Sequence, residues 1–121
     1  MTVYYPLSLT LLNYNKVGSY DIEVHQNDDN EDFIFQIVDA QGNPLNCTGQ
    51  TVVLIITSPF YATYANTGTC AWTNINLGIF TYTPASTDFN TLGLFNLIAH
   101  LTNSSNLLTI PTANDLILNV I

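Results

Sequence analysis

The sequence predicts an all-β fold, an antiparallel sandwich of about seven to nine short strands. Three observations carry this. Apolar residues recur with a two-residue period in run after run, turn residues separate those runs about every eight to twelve positions, and no window of helical length keeps the roughly 3.6-residue period of a helix. With 121 residues and no composition break, repeat or low-complexity linker, the chain is expected to form one domain.

Residues 2 to 12, TVYYPLSLTLL, alternate loosely around Pro6, which a central strand does not tolerate. Residues 1 to 17 are therefore expected to be an extended arm or an edge strand, and 18 to 121 the sandwich itself. Tyr20 to Val24 alternates cleanly, with Tyr20, Ile22 and Val24 facing inward. A polar loop from His25 to Asn30 follows.

The stretch from Asp32 to Thr57 supplies two core strands. Phe33, Phe35 and Ile37 fall on one face of the first, opposite Ile34, Gln36 and Val38. The turn Asp39-Ala-Gln-Gly-Asn-Pro44 comes next, where Gly42 accepts positive φ and Pro44 withdraws a ladder donor. Val52 to Ile56 is unbroken aliphatic sequence, which predicts a strand buried on both faces. A long connection carrying Phe60, Tyr61 and Tyr64 leads on to a hairpin of Thr69 to Thr73 and Ile79 to Thr83 around a turn at Asn74 to Gly78.

Pro84, followed by Ser, Thr and Asp, suits a single short helical turn near residues 84–89. In Leu94 to Leu101, Phe95, Leu97, Ala99 and Leu101 point one way, Asn96 and His100 the other. After the turn Asn103 to Asn106, a brief strand at Leu107 to Ile110 and a closing one with Leu116, Leu118 and Val120 complete the set.

Composition narrows the function. Only 8% of residues are charged and the formal net charge is -8, with Lys16 the one Lys or Arg. A phosphate backbone is bound through Lys and Arg, so nucleic acid is not an expected partner. No run is long and apolar enough for a spanning helix, and the start lacks a secretory pattern, so neither membrane nor export is expected. Cys47 and Cys70 have no nearby ligand partners and read as free, buried thiols, with a disulfide between them, which needs an oxidising environment, as the alternative.

Four places in the sequence could carry chemistry. The cluster Asp28, Asp29, Glu31 and Asp32 is oxygen-rich but lacks the spacing and glycine of a calcium loop, and reads as a solvated loop or a docking patch for a basic neighbour. Seven of the nine acids lie between Asp21 and Asp39, so one end of the domain is expected to be strongly negative. His25 and His100 sit in no nucleophile motif, and nothing places Asp88 and Asp115 across a cleft. The rings of Phe60, Tyr61, Tyr64 and Trp72 suit a core rim or an interface, with a sugar-stacking platform as the alternative. No catalytic residue, metal or cofactor is expected.

The run DFIFQIVDAQGNPLNCTGQTV resembles the immunoglobulin-like domain at the N-terminus of phage baseplate upper proteins, through Asp39, Gly42, Pro44, Leu45, Thr48 and Gly49. Gly78, Phe80, Tyr82, Gly93 and Phe95 are similar to the same family's later strands, and Thr109-Ile-Pro111 to its ending. The similarity spans roughly residues 24 to 121, leaving an extra apolar, Tyr-rich N-terminal segment. It implies an immunoglobulin-like sandwich and a non-enzymatic structural subunit of the virion, made in the host cytoplasm: a baseplate or tail adaptor, or a capsid decoration protein. The alternative is a carbohydrate-binding adhesion module on the particle surface.

Other virion proteins, or further copies of the chain, are the partners this implies. Sheet edges in soluble β-proteins are commonly guarded by Lys, Pro or bulges, and this chain has one Lys, so neighbours are expected to cover them. Thr2 to Leu12 is then an arm added to a neighbour's sheet, or else folds back on its own domain. The expected interface residues are Tyr4, Tyr5, Leu7 and Leu9 of that segment, Phe60, Tyr61 and Tyr64, and the acidic Asp28, Asp29 and Glu31.

Overall fold

The computed structural model describes residues 7–13, 22–27, 32–57, 68–85, 88–103, 106–111 and 117–121. Nine strands form along the chain: β1 (Ser8–Leu11), β2 (Ile22–Val24), β3 (Phe33–Val38), β4 (Thr51–Thr57), β5 (Thr69–Asn74), β6 (Ile79–Thr83), β7 (Gly93–Thr102), β8 (Leu107–Pro111) and β9 (Ile117–Val120). They make two sheets. One has the order β1-β3-β6-β5, the other β2-β9-β7-β4 with β8 also paired to β7. The ten-residue β7 holds β4 along one side and receives β9 and then β8 along the other.

Alternation decides what each strand buries. Phe33, Phe35 and Ile37 are fully buried, and Ile34, Gln36 and Val38 half-buried on the opposite face. From the facing sheet, Leu54, Ile56, Leu97, Ala99, Leu101 and Leu118 close the core. Phe35 stacks on Phe80 with ring centroids 5.4 Å apart, and Phe33 lies between Tyr82 and Phe89 at 6.3 and 6.0 Å. Burying an aliphatic or aromatic side chain of this size contributes about 1.5–3 kcal/mol. The two inner faces therefore hold the sheets together without a staple.

The turn after β3 forms as its residues require. The Asp39 side chain accepts from the N–H groups of Gln41 and Asn43, both at 2.9 Å, while Gly42 sits at φ 83°. The β5–β6 hairpin closes through a 3₁₀ turn, Ile75–Leu77, which ends on Gly78 at φ 67°. At residues 84–89, where a helical turn was expected, the described residues are closed by the Asp88 N–H donating to the Ala85 carbonyl, and 86 and 87 lie outside the description.

Two expectations are corrected. Val52 to Ile56 is not buried on both faces: Val53 is 47% exposed, because β4 is the last strand of its sheet and its outer face meets no second layer. One pair is parallel, β2 with β9, since the chain returns to the sheet margin from its far end. Of the two alternatives for the N-terminal segment, residues 8–11 take the edge strand, pairing antiparallel with β3 of their own sheet. Leu9 is fully buried in that position.

Candidate functional site

Two features stand out from the scaffold: a buried polar knot and an apolar outer face. The knot is centred on Asp88, which is completely buried. Its Oδ2 accepts from the Tyr82 hydroxyl and from the N–H groups of Gly68 and Ala85, both at 3.1 Å. Gly68 N–H also reaches the Tyr82 oxygen at 3.1 Å. A buried carboxylate is tolerated only where such donors replace its water. Here they join the start of β5, the end of β6 and the following turn, so the carboxylate is a fastening rather than a reactive group.

The second feature is the outer face of the larger sheet. Its register sets Val53 beside His100 and Thr109, Thr51 beside Thr102 and Leu107, Ile55 beside Ile98, and Leu94 beside Asn119. Val53, Leu94 and Leu107 are 47%, 37% and 60% exposed. Leu92 and Ile121, both exposed, flank the face at adjoining ends of β7 and β9. Among the described residues, Glu23 on marginal β2 is the one Asp, Glu, Lys or Arg in its strands, and His100 on β7 is the one histidine. By contrast, the outward residues of the smaller sheet include Thr10, Gln36, Thr81, Thr83 and Thr69.

The edge of β4 is covered by the chain itself. Trp72 Nε1 donates to the Gln50 carbonyl at 2.9 Å, and the Cys70 thiol is hydrogen-bonded with the Leu54 backbone. Two side chains of β5, in the opposite sheet, thus reach the margin of β4. Trp72 is half-buried and packs edge-on against Phe80 at 5.9 Å, so it offers no flat exposed ring for a sugar. Both cysteines are free. Burial pushes each thiol up to about 11, so neither is a thiolate nucleophile near neutral pH.

Of the expected interface residues, Leu7 is half-buried beside the core and Leu9 lies within it. Tyr4, Tyr5, Asp28, Asp29, Glu31, Phe60, Tyr61 and Tyr64 lie outside the described residues. His25 is exposed on the loop after β2 and His100 is half-buried on the outer face. Among the described residues no three His, Cys, Asp or Glu side chains gather as metal ligands. Sequence reasoning missed the apolar outer face, although Leu94 and Ile98, on the side of β7 that carries Asn96 and His100, were its signal.

The fold is an all-β, immunoglobulin-like sandwich. The BppU N-terminal domain family matches residues 6–112, and the chain belongs to that family of baseplate upper protein domains. The match begins within the segment expected to be an addition, so residues 6 to 17 are part of the family domain. No curated protein matches the chain in sequence. Among solved structures, the crystal structure of the Lin-41 filamin domain is similar, with 19% identity, a TM-score of 0.39, and coverage of 90% of this chain and 93% of that one.

Proposed function

We propose that the chain is a non-enzymatic structural subunit of a phage particle, an adaptor of the baseplate or tail that works through protein–protein contacts. The observation that carries this reading is the family match across residues 6–112, which takes in eight of the nine strands. The exposed apolar face agrees with it: a subunit built to be held between neighbours needs complementary surfaces. The acidic segment holding Asp28, Asp29 and Glu31 serves in this reading as a docking patch for a basic neighbour.

Antibodies raised against the chain and applied to purified particles test the assignment by immunogold microscopy. Label at the tail tip is expected. Label over the head would replace the adaptor by a capsid decoration subunit, and particles without the chain would remove the virion reading.

A further inference from the structure

We propose that the outer face of the β2-β9-β7-β4 sheet, together with β8, is a self-association surface that takes the same face of a second copy of this chain. This deepens the structural-subunit reading, and rests on it for its role in the particle. Five of the seven large apolar side chains exposed among the described residues, Val53, Leu92, Leu94, Leu107 and Ile121, stand on this face or at its ends. Monomeric proteins seldom leave such a group in contiguous solvent.

Charge selects the occupant. The chain carries -8 with one Lys or Arg, so most approaches of one copy to another set carboxylate against carboxylate. The centre of this face, formed by β4, β7 and β8, contains no Asp, Glu, Lys or Arg, its one titratable side chain being His100, and Glu23 lies at its margin on β2. Two copies can meet here without that repulsion; the strands of the smaller sheet are equally free of acids, but none of the exposed large apolar side chains stands in them. A partner attracted by charge would go instead to the acids between Asp21 and Asp39.

Shape and size agree. A face of alternating Thr and β-branched residues can interdigitate with its own image at the aligned angle of sheet-on-sheet packing, with about 10 Å between sheets. Strands about 4.8 Å apart and ten residues of about 3.3 Å give a flat footprint of about 500 Å². Side-chain relief raises this towards the roughly 800 Å² per partner of a standard interface. A two-fold axis near Ile98, in the central strand, would apply the whole face to itself.

Sedimentation velocity of the full chain from about 1 to 100 µM decides the matter. A dimer is expected, and added NaCl should tighten it by screening the net negative charge. Val53→Lys, Leu94→Lys and Thr109→Lys should each weaken it by at least about tenfold, whereas Thr83→Lys, exposed on the other sheet, should not. Thr109→Lys removes no apolar contact from the fold, so it decides if the other two disturb the circular dichroism spectrum. A monomer at every concentration would overturn the proposal, as would a dimer indifferent to Thr109→Lys or equally weakened by Thr83→Lys. A monomer that still co-purifies with particles sinks the pairing alone; a dimer absent from particles sinks the virion reading alone.

Discussion

Asp88 is the one charged side chain among the described residues that is fully buried, and its three donors come from separate parts of the chain. Asp88→Ala leaves the Tyr82 hydroxyl and two backbone N–H groups without that acceptor, and each such loss costs about 1–3 kcal/mol. Urea unfolding should show the variant less stable by about 3 kcal/mol or more, with Tyr82→Phe costing about 1–2 kcal/mol. A change below about 0.5 kcal/mol in Asp88→Ala, the range of an ordinary surface substitution, would mean that the knot does not fasten the turn. Nothing in the sequence announced this residue. Asp88 reads there as an isolated carboxylate, because its partners Gly68 and Tyr82 are brought to it only by the pairing of β5 with β6.

At the scale of elements, the inner faces were legible and the outer faces less so. Phe33, Phe35 and Ile37, or Phe95, Leu97, Ala99 and Leu101, alternate with neighbours that include the polar Gln36, Asn96 and His100, and all seven are buried. Val52 to Ile56 has no such contrast. An unbroken aliphatic run looks alike in a central strand and a terminal one, and only the strand order assigns β4 to the end of its sheet. The same order hid the self-made cover of β4, since Trp72 and Gln50 are brought together across two sheets.

Turns were legible where one residue type was required. Gly78, at φ 67°, ends the 3₁₀ turn, and a Cβ placed on it would lie 2.7 Å from the Leu45 carbonyl oxygen. Gly78→Ala is therefore expected to destabilise the fold by about 1–3 kcal/mol through backbone strain, besides what that contact adds. Thermal unfolding read by circular dichroism checks this, and an unchanged midpoint would show that the β5–β6 connection can relax at no cost.

For the molecule as a whole, composition and architecture meet in the charge. Seven acids in nineteen consecutive positions face few cations, so the folded state is opposed by its own field. Raising NaCl from about 10 to 500 mM should increase the melting temperature by a few degrees, because the screening length falls from about 30 Å to a few ångströms. A flat or falling midpoint would mean that the acids are already offset within the fold. The sandwich class, the placement of most strands and the family were legible at this scale because each depends on periodicity or on turn residues near one another in sequence. The apolar exterior was not, because exposure is a property of the assembled layers.

The parallel seam between β2 and β9 has a mechanical consequence. Ile22 lies opposite Leu118 and Val24 opposite Val120, and the Ile121 N–H continues the ladder to the Val24 carbonyl. Tension that enters at residue 22 and leaves at residue 121 therefore runs lengthwise along the two strands. Their bonds are loaded in shear and yield together, whereas an antiparallel seam pulled at its open end would unzip one rung at a time.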